Sequence, residues 1–141
     1  MRERRRLALV KRQKVLANVA RREAMGALAG AIGVEARSAA LAEKSKALSR
    51  QYRADPGQSE GDEVRALAKF AGALADIAKE ADCARVDAGR QAEMRQQALA
   101  AAETRIKRLD AREKAARAEL EKAIERRAQA ANAEMARKLL R

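Results

Sequence analysis

The feature that most constrains the fold is a long proline-free run from Asp62 to Arg141, rich in good helix formers. Counting by sevens gives a row in which only Arg95 is not apolar. That row is Leu67, Leu74, Ala81, Ala88, Arg95, Ala102, Leu109, Ala116, Ala123 and Ala130. A second apolar row interleaves with it: Phe70, Ile77, Ala84, Leu99, Ile106, Leu120 and Ile124. Apolar residues three or four apart over so many heptads predict a coiled coil. A helix of about 120 Å cannot bury its own stripe, so it needs a partner helix along its length.

Composition excludes a thick globular core. Tyr52 and Phe70 are the only aromatic residues, and alanine supplies most of the apolar side chains. Alanine buries little surface, so a rounded core built from it would be weak. Helix formers with heptad spacing are typical of coiled coils. The predicted fold is therefore all-α: a long antiparallel two-helix coiled-coil hairpin with a C-terminal helical overhang.

One strong break divides the chain. Residues 54–61 contain Pro56, the only proline, together with two glycines. Ser59, followed by acidic residues, resembles a helix N-cap. We therefore predict one coiled-coil hairpin over residues 1–141, with a helix at 2–53, a turn at 54–61 and a helix at 62–140. A short connection makes the two helices antiparallel neighbours.

A turn near residues 57 and 58 predicts that the numbers of facing residues sum to about 115. The predicted facing pairs are Leu48 with Leu67, Leu41 with Leu74, Val34 with Ala81, Leu16 with Leu99, and Leu9 with Ile106. In this register the first helix ends opposite residue 113, and residues 114–141 have no intramolecular partner. An apolar stripe nevertheless continues there through Leu120, Ile124, Met135, Leu139 and Leu140. An external partner, self-association or fraying could account for that stripe.

Three glycines interrupt the first helix at positions 26, 30 and 33. Two interpretations stay open. The glycines form a soft, poorly specified patch, since each costs about 1 kcal/mol relative to alanine in a helix interior. Alternatively, they allow close helix approach against small residues at 81, 84, 88 and 89.

The residues needed for most catalysis are missing from the sequence. There is no histidine, and the lone Cys83 is predicted to be buried and inert beside the seam. No metal-ligand spacing, phosphate-binding loop or nucleophile–base pair can be assembled. We therefore expect no catalytic, cofactor or metal site and no enzymatic activity. The absence of a signal-peptide or membrane-length apolar run, together with the single cysteine, predicts a cytoplasmic protein.

Positive charge is concentrated toward both termini. Residues 1–24 carry net +7, residues 25–103 carry −1 and residues 104–141 carry +6. A hairpin would bring both basic segments to one tip, where the field would steer an acidic partner. A merely solvated face is the alternative. Nucleic-acid binding is a weaker interpretation, because no stacking aromatics or recognised motif accompany the charge.

The residues around the predicted turn resemble the FliJ family of flagellar type III export proteins and its virulence-secretion relatives. The first helix ends in Gln51, Tyr52 and Arg53, similar to the family's Tyr-Arg, and the second carries Phe70 and Leu74 in a Phe-x-x-x-Leu step. The resemblance implies a stalk protein that stimulates an export ATPase ring, contacts the linker of an FlhA-like export gate and handles export chaperones. The location implied is the cytoplasmic face of the export apparatus.

The resemblance also implies two sites. The gate-binding residues would be Leu41, Leu48, Tyr52, Phe70, Leu74, Ile77 and Ala81. The tip that enters the ATPase ring would include Arg4, Arg5, Arg6, Lys122, Arg126 and Arg127. A structural scaffold that dimerises through residues 114–141 is the second hypothesis, and a basic nucleic-acid-binding protein is the third.

Overall fold

Two long helices make up the computed structural model, which describes residues 1–54 and 61–140. Helix α1 spans Arg2–Ala54 and helix α2 spans Gly61–Leu139. Within these described ranges there is no strand, and the two helices pack against each other. The predicted all-α class and helical pairing are confirmed, and the helix bounds agree within one residue. The predicted turn at Pro56 and the Ser59 cap lie outside the described residues.

The chain divides into two compact units, each containing part of α1 and part of α2. Unit 1 comprises Met1–Glu23 and Leu99–Arg141, and unit 2 comprises Ala24–Ala98. In unit 1, Arg6 pairs with Glu119 and Lys14 with Asp110; in unit 2, Lys46 pairs with Asp82 and Ser49 with Ala71. In each unit the partner's number falls as the number along α1 rises, so the two helical segments run antiparallel.

The buried residues of both helices are called the seam below, and part of the α2 seam matches the first predicted heptad row. Leu74, Ala81 and Ala88 are buried in unit 2, and Leu109 and Ala116 are buried in unit 1. Heptad spacing therefore located this row correctly, because residues seven apart return to the same face of a helix in a coiled coil.

The second predicted row is wrong in unit 2. Ala71 and Ala78 are buried, whereas Phe70 and Ile77, each one residue earlier, are 49% and 42% exposed. Ala84 is also exposed. The same row is better predicted in unit 1, where Leu99, Ile106 and Leu120 are half-buried, although Ile124 is exposed. The prediction placed the larger side chains, Phe70 and Ile77, in the helix interface, but the neighbouring alanines occupy it.

The seam of α1 in unit 2 also consists of small residues. Ala42, Ser45 and Ser49 are buried, while Leu41 is half exposed. The Ser49 hydroxyl donates a hydrogen bond to the backbone carbonyl of Ala71, at 2.9 Å. A side chain as short as serine can reach the opposite backbone only where the helices lie close together. Close approach therefore occurs at Ser49 and Ala71.

The predicted register is wrong. In unit 2, contacts join Ser49 to Ala71 and Lys46 to Asp82, so the facing numbers sum to 120–128 rather than 115. In unit 1 the pairs are Lys14 with Asp110 and Arg6 with Glu119. Leu9 and Leu16, which were predicted to face α2, are 56% and 68% exposed. The sum of 115 followed from assuming a turn at residues 57 and 58, and the observed contacts do not keep that sum.

The corrected register also shortens the overhang of α2 in unit 1. Ala123 is the last partly buried residue, and every described residue from 124 to 140 is exposed. The overhang therefore begins about ten residues later than predicted, because α1 extends opposite α2 beyond residue 113. Its exposed apolar side chains are Ile124, Met135, Leu139 and Leu140.

In unit 2 one of the two open interpretations of the glycines is excluded for Gly26 and Gly30, and the predicted burial of Cys83 is wrong. Gly26 and Gly30 are exposed, and a Cβ added at either would meet no atom within 4 Å, so they do not create a close helix contact. Cys83 is exposed rather than buried. Neither helix, over residues 1–54 and 61–140, contains a stretch with the length and hydrophobicity of a membrane span.

Candidate functional site

The candidate site is an exposed apolar surface on one side of the seam in unit 2. Leu41 and Leu48 of α1 each precede a buried seam residue, as do Phe70 and Ile77 of α2. Residues that precede the seam on two antiparallel helices lie on the same side of the pair. We call this surface the apolar flank, and it also includes Val34, which is seven residues before Leu41 and is 44% exposed.

An aromatic pair lies at one end of the apolar flank. The rings of Tyr52 and Phe70 meet edge to face, with centroids 5.0 Å apart and planes at 84°. Such pairs contribute about 0.5–1.5 kcal/mol beyond area burial. Both rings keep accessible surface, at 39% for Tyr52 and 49% for Phe70. The contact therefore fixes the orientation of the rings and leaves part of each available to a partner.

The opposite side of the same seam is polar. Lys46 and Asp82 each follow a buried seam residue, and they form an ion pair of 2.7 Å. The pKa of Lys46 is raised, mainly by its hydrogen bond to Asp82 and to a smaller extent by its hydrogen bond to Glu43. The hydrogen bond from Lys46 lowers the pKa of Asp82. Unit 2 therefore has one ion-paired side and one apolar side.

The structure separates the seven predicted gate-binding residues into two groups. Leu41, Leu48, Tyr52, Phe70 and Ile77 keep accessible side-chain surface on or beside the apolar flank. Leu74 and Ala81 are buried in the seam, with 9% and 5% exposure, so a partner cannot reach them without separating the helices. Val34 was not predicted as part of this surface. Its seven-residue spacing from Leu41 and Leu48 was the available signal.

The six predicted ring-tip residues lie in unit 1 and are all exposed: Arg4, Arg5, Arg6, Lys122, Arg126 and Arg127. Arg6 forms an ion pair of 2.6 Å with Glu119. The pKa of Glu3 is lowered, chiefly by a hydrogen bond from the Glu3 backbone and further by the positive charges of the N-terminal amine and Arg127. Basic residues of α1 and α2 thus lie near one another in this unit.

Net charge differs sharply between the units. Unit 1 contains 21 lysines and arginines and 9 aspartates and glutamates, which gives +12, the whole net charge of the chain. Unit 2 contains 11 of each and is neutral. Long-range attraction of an acidic partner would therefore act on unit 1, while the apolar flank belongs to an electrically balanced unit.

Comparison with known proteins adds no family assignment: no protein-family model, no curated protein and no solved structure matches the chain. Among the described residues, no group of three or more histidine, cysteine, aspartate or glutamate side chains could hold a metal ion.

Proposed function

We propose that this protein is a non-enzymatic stalk component of a flagellar or type III protein export apparatus. Unit 1 engages and stimulates the export ATPase ring, and the apolar flank of unit 2 binds the linker of an FlhA-like export gate. The protein acts on the cytoplasmic face of the apparatus and contacts export chaperones. The observation that carries the proposal is the presence of an exposed aromatic–aliphatic surface in a neutral unit and of all the net positive charge in the other.

The apolar flank has the composition of a protein-binding surface. Aromatic residues are the most frequent anchors at interfaces, because they bury a large area with few rotatable bonds. Phe70 is half exposed, although its contact with Tyr52 already orders the ring. Binding at a pre-ordered ring loses less side-chain entropy than binding at a mobile one. Contiguous exposed apolar side chains are typical of interaction sites on soluble proteins.

A gate-binding measurement tests the proposal. Phe70→Ala combined with Ile77→Ala removes two flank side chains and leaves the buried seam intact. We expect affinity for the isolated export-gate linker, measured by isothermal titration calorimetry, to fall by about 100-fold, since losing two anchors costs about 3 kcal/mol. Circular dichroism should show unchanged helix content.

The matched control is Val86→Ala combined with Met94→Ala. Both residues belong to α2 in unit 2 and are 46% and 60% exposed, but neither precedes a buried residue as Phe70 and Ile77 do. The control should bind the linker as tightly as the natural sequence. Equal affinity in the Phe70/Ile77 variant would remove the flank from the proposed interface.

A scaffold that dimerises is the second candidate, because exposed apolar side chains also favour self-association. Ile124, Met135 and Leu139 of the overhang supply such side chains in unit 1. Sedimentation equilibrium separates the two candidates. A monomer at micromolar concentration supports the stalk, whereas a stable dimer that is lost on deletion of residues 124–141 supports the scaffold.

A further inference from the structure

We propose a second docking surface in unit 1, which binds an amphipathic helix that carries acidic residues. Its walls include Gln13 of α1 and Arg105, Arg108 and Arg112 of α2, around an open cavity of about 600 Å³. We call it the arginine groove. It shares no residue with the apolar flank or with the predicted ring tip, so this inference stands independently of the proposed function.

The positive charge of the groove is not neutralised by neighbouring carboxylates. None of its three arginines forms an ion pair with a residue in the ranges that the structure describes. The nearby acids Asp110 and Glu113 are bound to Lys14, at 2.7 and 3.0 Å. These two acids line a different cavity, together with Lys114 and Arg117. The arginines and the acids therefore occupy different surfaces of unit 1.

Two exposed leucines of α1 flank Gln13, the residue through which α1 lines the groove. Leu9 and Leu16 are four residues before and three residues after Gln13, so both neighbour Gln13 on the surface of α1. They are 56% and 68% exposed. Arg105 and Arg112 have the same seven-residue spacing on α2, which corresponds to two helical turns, or about 10.5 Å. Two arginines that line the groove and two leucines that flank its α1 residue therefore share one seven-residue spacing.

This combination favours an acidic amphipathic helix over other anionic partners. A helix in a groove presents side chains at seven-residue spacing, which matches both walls. Arginine recognises carboxylates through two parallel hydrogen bonds. A nucleic acid would use the arginines but gain nothing from exposed leucines. A membrane surface would require a broader apolar face than two leucines beside a concavity.

A peptide titration tests the proposal. The probe is a fluorescent helical peptide of about 20 residues, with leucines at heptad positions and glutamates beside them. We expect the full-length chain to bind it in fluorescence anisotropy at physiological ionic strength. Arg105→Glu combined with Arg112→Glu should raise the Kd by more than about tenfold. Arg105→Gln combined with Arg112→Gln is the milder version, should the charge reversal reduce helix content in circular dichroism.

Two matched controls use neighbouring residues. Lys107→Glu combined with Lys114→Glu makes the same charge change on the same helix at the same spacing, but outside the groove, and should leave the Kd nearly unchanged. Leu9→Ser combined with Leu16→Ser should weaken binding, whereas Val15→Ser, at a position that is 63% exposed, should not.

Three outcomes would overturn the proposal. The first is an equal loss of affinity in the arginine and lysine variants, which would show binding to net charge alone. The second is equal binding of a peptide in which lysines replace the glutamates. The third is failure of the acidic peptide to bind while a duplex DNA oligonucleotide or phosphatidylserine vesicles bind, which would assign the groove to those ligands.

Discussion

Ser49 determines how closely two backbones approach in unit 2. Its hydroxyl is buried and is satisfied by the Ala71 carbonyl of the other helix. A buried hydroxyl without a partner would cost free energy, so serine is tolerated in the seam because α2 supplies an acceptor. The same contact requires a small residue at position 71, and Ala71 is fully buried.

Substitutions at Ser49 should therefore show two graded effects on the free energy of unfolding. Ser49→Ala removes one hydrogen bond and should cost about 1 kcal/mol. Ser49→Leu forces the helices apart and should cost about 1–3 kcal/mol, or more if the register shifts. Urea unfolding followed by circular dichroism measures both. Ala47→Leu, at an exposed position of the same helix, is the control and should change stability little.

The Lys46–Asp82 ion pair predicts a pH dependence with two windows. Because the pKa of Asp82 is lowered in the folded state, its contribution is present above the ordinary aspartate pKa and is lost as the pH falls below about 4. Because the pKa of Lys46 is raised, its contribution is lost as the pH rises above about 10.4. Thermal unfolding of Lys46→Met should show a flatter pH dependence in both windows. Lys44→Met should behave as the natural sequence does, and identical profiles for all three proteins would contradict this prediction.

At the scale of the helix, sequence periodicity predicted the α2 row that begins at Leu67, since identical heptad positions return to one face whatever residues occupy them. Periodicity could not decide between Phe70 and Ala71, which are adjacent and each continue a seven-residue row. Hydrophobicity favours the phenylalanine, but close backbone approach at Ser49 leaves room only for the alanine. The exposed flank residues were consequently predicted as core at several positions.

The glycines of α1 provide an element-scale test of where the helices approach. Gly26 and Gly30 have open space around an added Cβ, so Gly26→Ala and Gly30→Ala should each stabilise the helix by about 1 kcal/mol through its higher propensity. Gly89→Ala should gain less, because its Cβ would lie 3.4 Å from a carboxylate oxygen of Glu35. Thermal unfolding measures all three. Destabilisation by the first two would restore the close-approach interpretation of this segment.

At the scale of the whole molecule, the two units differ in chemical character although the same two helices build both. Unit 1 holds all the net charge, and unit 2 holds the aromatic pair and the apolar flank. The charge segregation could be predicted, because the positions of charged residues along the chain are enough to show it. Which apolar side chains are accessible could not be predicted from the sequence. Their accessibility depends on the register between α1 and α2, and small residues in the interface determine that register.

Charge reversal should therefore affect ATPase stimulation according to the unit in which it is made. Arg4→Glu, Arg5→Glu and Arg6→Glu together should abolish stimulation of an export ATPase, because they remove attraction in unit 1. Lys44→Glu, Arg50→Glu and Lys69→Glu make the same net change in unit 2 and should preserve it. Phosphate-release assays measure both. Equal loss in the two variants would assign the effect to total charge and contradict a dedicated ring-binding unit.

The hydrogen bond between Ser49 and Ala71 joins residues 22 positions apart, whereas the Arg6–Glu119 pair joins residues 113 positions apart. Closing the longer loop first would cost about 1.5 kcal/mol more chain entropy. Folding should therefore begin beside the aromatic pair and proceed toward the termini. Each new turn of paired helix shortens the loop that the next contact between the helices must close. Basic segments that repel one another in the unfolded chain are thus brought together last, after most of the entropic barrier has been passed.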